Sequence, residues 1–278
     1  MLSEVLEGLH INNQATIIDA TLGAGGHSNA IAQAAARVLA IEYDEKMIAR
    51  AKAQLHEHVT VALGNFRNIE KLANEHGFNA VDGVLFDLGV SAFHFLDDDR
   101  GFSFQKPHDP LDMRLNPVEQ AVTAAILLNG LREDQLTDMF TESMIEHEAR
   151  GLARKVVAMR AIKPFETVAD VINLFPMQHG GINPATKAMM ALRIAVNSEL
   201  DTAKEGLEGA MRVVRPGGRI VVISFHSGED AVVKHLFEEW EEKELGRIQT
   251  AHPVLPAESE VAKNPKARSA KLRIFEKL

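Results

Sequence analysis

The 278-residue sequence contains no cysteine, which excludes disulfides, thiolate nucleophiles and cysteine-ligated zinc. It also lacks an apolar run approaching the roughly 18 residues that a membrane span needs, and the charged-then-apolar opening of a secretory leader. No membrane partner and a cytoplasmic, reducing compartment are therefore expected. The 12 histidines show no His-x-x-x-His spacing, so no metal is expected. Internal repeats and low-complexity segments are missing too, which removes repeat architectures.

What is present is ordinary for a globular protein: 46% hydrophobic and 25% charged residues, with length for one large domain or two smaller ones. The net charge of -9 argues against a polyanionic partner for the whole molecule, but the charge is unevenly placed. Residues 117–148 carry seven acids against Arg132, whereas 149–165 carry Arg150, Arg154, Lys155, Arg160 and Lys163 with no acid. The last 17 residues hold six basic side chains against Glu276. Two basic patches on an acidic body fit local phosphate contact, and equally fit the solvated faces of a helix and a tail.

Short apolar runs alternate with amphipathic stretches along the first 90 residues: "ATIIDA", "VLAIEY", "VTVALG" and "DGVLFDLGV" read as strands, and 28–36, 45–55 and 69–75 as helices between them. Three βα units followed by a fourth strand imply an α/β fold, a parallel sheet with helices on its faces. From about 117 to 175 the pattern is helical only. Alternation then resumes: apolar residues from Leu200 to Val214 recur at helical spacing, "RPGG" ends that helix, "RIVVISF" reads as a buried strand and "AKLRIFEKL" as a last one. The expected organisation is one α/β domain, 1–110 and 188–278, interrupted by a helical domain at 111–187.

In "IIDATLGAGGHS", the first strand ends in Asp19 and is followed by Gly23, Gly25 and Gly26. Glycine accepts positive φ and lets a ligand approach bare backbone, and in open parallel sheets the first βα turn is the floor of the ligand crevice. Glu42 closes the second strand, where an acid can accept both hydroxyls of a ribose. These features imply a nucleoside-containing cofactor. Ser28 occupies the third glycine position of a dinucleotide fingerprint, and Asp19 would repel a pyrophosphate but welcome a sulfonium, which favours S-adenosyl-L-methionine over NAD. Glycines used only for tight strand-to-helix packing remain an alternative.

Further stretches follow in order: "DGVLFDLGVS", "RGFSF", "PLDMRLNP", "ALRIAVNSEL", "PGGRIVVISFHSGED" and "NPKARSAKLRIFEK". With the glycine loop they resemble the RsmH (MraW) family of ribosomal RNA methyltransferases. The resemblance implies a Rossmann-like class I methyltransferase sheet with an inserted helical domain. It implies S-adenosyl-L-methionine as cofactor, and methylation of the exocyclic N4 of one cytidine in small-subunit ribosomal RNA. By the same resemblance Gly25, Gly26 and His27 form the cofactor loop, Glu42 is the ribose acid, Phe66 lies by the adenine and Asp87 beside the methyl donor. His94 stands where the family has a cofactor-contacting glutamine. Arg114, Arg193, Asn197, Arg268 and Lys271 match family motifs near the presumed crevice, and with the stripe Arg150 and Arg154 they are the expected RNA contacts. The implied partner is small-subunit ribosomal RNA or a 30S-type subunit, and a homodimer is compatible with the sequence.

The sequence departs from the family pattern in places. Glu42 replaces an aspartate, Ala92 and Phe93 replace a serine and a proline, Gly228 and Ala231 replace a leucine and an arginine, and "SMIEHEA" replaces "YGEERFA". The family's opening His-x-Pro-Val segment is absent before Leu2. These losses lie on the substrate side more than the cofactor side. Two other readings stay open: a ribosome-assembly factor that binds RNA but methylates weakly, and an amino methyltransferase with another RNA target, such as an organellar one. For the chemistry itself, the cytosine amino lone pair is delocalised into the ring. A carboxylate and a carbonyl that accept its hydrogens can turn the nitrogen toward a methyl group. Asp87, assisted by carbonyls of Leu88 to Val90, is the expected catalytic residue.

Overall fold

A computed structural model describes residues 1–176 and 183–278. The chain forms two compact units, Met1–Gly89 with Leu200–Leu278, and Val90–Glu199. The inserted unit therefore extends beyond both of the expected limits, 111 and 187. Phe102, Met189, Leu192 and Val196 belong to its apolar core; Phe102 stands singly and carries no periodicity to mark the first boundary, while the other three recur at helical spacing and continue the helical pattern past 187.

The first unit opens with helix α1 (Leu2–Leu9) and strand β1 (Thr16–Asp19), followed by α2 (Gly26–Ala32), β2 (Arg37–Glu42), α3 (Glu45–Ala51), β3 (Val59–Leu63), α4 (Ile69–Glu75) and β4 (Val81–Asp87). After the insertion, α11 (Glu199–Val213) leads to β5 (Val214–Ser224), α12 (Ser227–Glu242), β6 (Gly246–Ile248), α13 (Glu258–Lys263) and β7 (Lys271–Lys277). The inserted unit holds α5 (Ala92–Leu96), α6 (Ala124–Gly130), α7 (Glu133–Thr141), α8 (Glu146–Arg160), α9 (Val168–Ile172) and α10 (Thr186–Asn197).

The seven strands lie in the order β3-β2-β1-β4-β5-β7-β6. The first five pair in parallel, while β7 runs antiparallel to β5 and β6 antiparallel to β7. Val38 to Ile41 in β2 and Val84 to Phe86 in β4 are fully buried. Such continuous apolar runs, rather than alternation, are what a sheet covered on both faces demands. From β1 the chain winds outward through β2 to β3, then returns to β4 on β1's other side. That reversal leaves a crevice outside the carboxyl ends of β1 and β4, where Asp19 and Asp87 stand.

Two details depart from the expected pattern. "RPGG" does not separate helix from strand: Val214 already pairs with Val81, and pairing resumes at Gly83 and Arg219 beyond an irregularity in which Gly217 takes φ +76°. The helical stretch expected from about 117 begins at Ala124, because Asn116 and Gln120 tie the intervening residues into a loop, the Asn116 amide donating to Gln120 Oε1 at 2.7 Å.

The short α9 is held by Asp170, which accepts from Lys163 Nζ at 2.8 Å, the amides of Glu166 and Thr167 at 3.0 and 2.9 Å, and Thr167 Oγ1 at 3.0 Å. Burial works to raise the Asp170 pKa, but Lys163 and the donors of Glu166 and Thr167 outweigh it and lower it to about 2 from 3.8. A depressed carboxylate contributes stability that is present above its ordinary pKa and lost as pH falls through the folded value. Unfolding monitored by far-ultraviolet circular dichroism is therefore expected to show stability declining between pH 4 and 2. Asp170→Asn should flatten that part of the profile and lower stability at pH 7.

Candidate active site

Asp19 ends β1 with its side chain fully buried. Its carboxylate accepts from Ser28 Oγ at 2.6 Å and from the Thr21 amide at 3.1 Å. Burial raises its pKa, opposed by the Ser28 hydrogen bond and the nearby charge of His27. Contrary to the expectation from the sequence, Asp19 does not face a ligand; it fastens the glycine turn to α2. Ser28, where a dinucleotide fold would carry its third glycine, is the other half of that fastening.

The turn itself needs glycine for two different reasons. Gly23 and Gly25 take φ +52° and +83°, which residues with a Cβ adopt only at a cost. A Cβ on Gly25 would also lie 2.9 Å from Leu55 Cδ2, so it would press on the protein's own side chain rather than into the ligand path expected from the sequence. At Gly26 an added Cβ would meet nothing within 4 Å. That is the open side of the turn.

Asp87 ends β4, next to the turn. Its amide donates to Thr21 Oγ1 at 2.7 Å, and Thr21 Oγ1 lies 3.4 Å from Asp19 Oδ1, so one hydroxyl links the ends of β1 and β4. His27 Nδ1 stands 3.4 Å from Asp87 Oδ2. Burial works against the charged imidazole, but the hydrogen bond and charge of Asp87, with Asp19, outweigh it and raise the His27 pKa above its ordinary value. Asp87 Oδ1 is buried and has no hydrogen-bond partner among the described residues, although the side chain as a whole is 31% exposed. An orphaned carboxylate oxygen is costly, on the order of 1–3 kcal/mol or more, unless a donor or cation is brought to it.

Glu42 accepts the Gly23 amide on Oε2 at 3.0 Å and the Tyr43 and Asp44 amides on Oε1 at 2.8 and 2.9 Å. The extra methylene lets the carboxylate curl back over its own chain and hold the turn opposite. Phe66 stands edge-on to Phe86, with ring centroids 5.5 Å apart. Gly206 of α11 underlies it so closely that a Cβ there would sit 2.6 Å from Phe66 Cδ2. These groups border the turn with an apolar ring on one side and acids on the other, a set suited to a cationic nucleoside.

His94 lies on α5 in the second unit, buried against Phe102 at a centroid distance of 5.0 Å and near Phe93 at 5.9 Å. Most of the expected RNA contacts are committed elsewhere. Arg114 grips Asp112 through Nε and Nη2 at 2.6 and 2.7 Å and donates to the Gln120 carbonyl at 2.8 Å. Arg193 makes a bidentate pair with Glu199 at 2.8 and 2.9 Å. Asn197 accepts from the Leu115 amide and Gln120 Nε2, each at 3.0 Å, and donates to the carbonyls of Met113 and Arg193 at 2.9 Å. Asn197 ties loop 112–120 to α10, Arg114 braces that loop from within and Arg193 is held by Glu199, rather than standing free for phosphate.

Lys271 pairs with Asp230 at 2.9 Å, Arg150 with Glu146 at 2.6 Å and Arg154 with Glu133 at 3.3 Å. The exposed pairs on α8 are weak enough for a phosphate to displace. Arg268 is exposed, with no ion-pair partner among the described residues. Sequence reasoning missed Thr21 and Glu229. The latter, fully buried at the start of α12, accepts the Phe225 amide at 2.7 Å and its Oε1 lies beside the bare backbone of Gly89. A hydroxyl two residues after a strand-ending acid, and an acid three residues into a helix, are the signals that could have marked them.

A parallel sheet with this strand order, a glycine turn after β1, and acids at the ends of β1, β2 and β4 define a Rossmann-like class I methyltransferase. The model of the MraW methylase family matches residues 1–278, and the chain belongs to that family. It is 40% identical to a protein of Thermomicrobium roseum named ribosomal RNA small subunit methyltransferase H, over 100% of this chain and 92% of the relative. A protein of the same name from Carboxydothermus hydrogenoformans is also 40% identical, over 100% of this chain and 96% of that one. Among solved structures, a Streptococcus mutans protein crystallised with SAH superposes with a TM-score of 0.51 at 12% identity, covering 100% of this chain and 98% of that chain. At that identity the likeness concerns the fold alone. Among the described residues no helix is long and apolar enough to cross a membrane.

The Asn197 network gives a direct test. Asn197→Ala leaves buried donors and acceptors unmet and should lower stability by about 2 to 3 kcal/mol. RNA affinity at fixed salt, measured by fluorescence anisotropy on folded protein, should not change. A weaker affinity at native stability would return Asn197 to the RNA surface.

Proposed function

We propose that this chain uses S-adenosyl-L-methionine to methylate the exocyclic N4 of a cytidine in small-subunit ribosomal RNA, as its family membership and the names of its relatives indicate. The single observation that carries the reading is the Asp87 carboxylate. It is fixed at the crevice between β1 and β4 beside the open side of a glycine turn, with one buried oxygen lacking a donor. A structural carboxylate would have its hydrogen bonds met within the protein, as Asp19 does.

The residues present fit the cofactor. The backbone of Gly23 to Gly26, Glu42, the Phe66 ring and Asp87 would hold it, and when bound it supplies an electrophilic methyl group carried on a sulfonium. Everything else is done by the chain. Asp87 accepts one hydrogen of the N4 amino group, draws the nitrogen out of conjugation with the ring and aims its lone pair. After transfer the nitrogen carries an extra proton, which passes to the Asp87 carboxylate or to water.

The base must leave its stack to reach this crevice, at a cost of a few kcal/mol. Contacts to RNA phosphate offset that cost, and Arg268 with the exposed guanidiniums of Arg150 and Arg154 are the side chains free enough to make them. A ribosomal RNA target is in keeping with a cytoplasmic protein whose substrate is the RNA or a 30S-type subunit. Asp87→Asn removes a charged acceptor worth about 1.5 to 3 kcal/mol, so single-turnover methyl transfer should slow on the order of 10- to 150-fold. Cofactor affinity is to be measured separately. An unchanged transfer rate would remove Asp87 from the chemistry.

A further inference from the structure

Asp87 is held from two directions. Its main chain is fixed by the Thr21 hydroxyl, which accepts the Asp87 amide at 2.7 Å and is itself beside Asp19. Its side chain has one neighbour able to donate, His27 Nδ1 at 3.4 Å from Oδ2, while Oδ1 is buried and unpartnered among the described residues. A carboxylate on a single methylene rotates freely about χ2 unless a donor fixes its plane. His27 follows Gly26 on the first turn of α2, and its side chain is 20% exposed, so the ring is clamped by packing. Ser28 next to it is anchored to Asp19 at 2.6 Å, which sets where the imidazole can point.

We propose that His27 is the positioning residue of Asp87: its Nδ1–H holds Oδ2 and thereby fixes the plane in which the carboxylate meets the substrate amino group. This rests on the function proposed above and gives His27 a part in methyl transfer separate from any contact with the cofactor. The protonated nitrogen must be Nδ1, since the neighbouring oxygen only accepts. The charged groups that face the ring are Asp87 from the end of β4 and Asp19 from the end of β1, with a smaller opposing influence from the amino terminus. Both carboxylates favour the imidazolium, and the charged ring makes the stronger hydrogen bond to Oδ2.

The test compares wild type, His27→Ala and His27→Asn, because the Asn amide can place one N–H near the position of Nδ1. Single-turnover transfer to small-subunit RNA is followed at saturating S-adenosyl-L-methionine, with cofactor affinity measured by calorimetry. His27→Ala should lower the transfer rate about 10- to 100-fold while cofactor affinity and the KM for RNA change by less than about threefold. His27→Asn should recover most of the rate. An alanine variant that transfers at the wild-type rate once saturated, or an asparagine variant no better than alanine, would overturn the proposal. A second readout needs no activity: the His27 ring titrates in NMR spectra of the whole protein, and Asp87→Asn should move its pKa down. A ring that titrates identically in Asp87→Asn also overturns it. Wild-type protein that transfers no methyl group at all would contradict the proposed function instead, and the ring titration would then decide the His27–Asp87 pairing by itself.

Discussion

At the end of β1 the Asp19 carboxylate is withdrawn entirely from solvent and depends on two hydroxyl-bearing neighbours, Ser28 and Thr21. Ser28 lies in the first turn of the helix that follows the glycine turn, and Thr21 receives the backbone of Asp87 from β4. A single buried acid therefore couples three elements that the sequence separates by up to 68 positions from Asp19 to Asp87. Taking a carboxylate out of water is expensive unless its lone pairs are met, so the turn has little freedom to rearrange. The shape of the crevice follows from that constraint. Glu42 reinforces it from β2 by gathering three backbone amides, one of them from Gly23.

Two acids of similar chemistry thus do opposite things. Asp19 is saturated and buried and works as a fastener. Asp87 is partly exposed, touches one donor and leaves an oxygen unmet. Buried hydrogen-bond deficits of this kind are retained in folded proteins chiefly where a ligand completes them. Satisfaction of hydrogen bonds, rather than residue type, separates the fastener from the group available for chemistry. The same distinction sorts the expected RNA contacts: Arg114, Arg193 and Asn197 have polar atoms met within their own unit, whereas Arg268 has no such partner among the described residues.

The parallel core of the sheet was legible because strands covered on both faces must be continuously apolar, and "VLAIEY" and "DGVLFDLGV" have no other use for such runs. Strand β6 was not, being three residues long with a pattern indistinguishable from a loop. Nor was the extent of the inserted unit, since residues 90–110 contribute core side chains such as Phe102 singly. Within the site, the glycine turn and the acids at Glu42 and Asp87 could be read from strand ends and spacing. The direction in which each acid points could not, because Asp19 is turned inward by Ser28 and Thr21, partners whose geometry exists only after folding. The pairing of the basic stripe was not legible for a related reason: the acid that pairs with Arg154 is Glu133, on the preceding helix.

The most direct measurement is a crystal structure of the protein with S-adenosylhomocysteine bound. The thioether should lie at the carboxyl ends of β1 and β4, beside the Asp87 side chain, with the nucleoside between Glu42 and Phe66 and its chain passing the open face of Gly26. A ligand seated elsewhere, or a crevice in which a protein donor has moved in to occupy Asp87 Oδ1, would contradict the assignment of this carboxylate to the reacting centre.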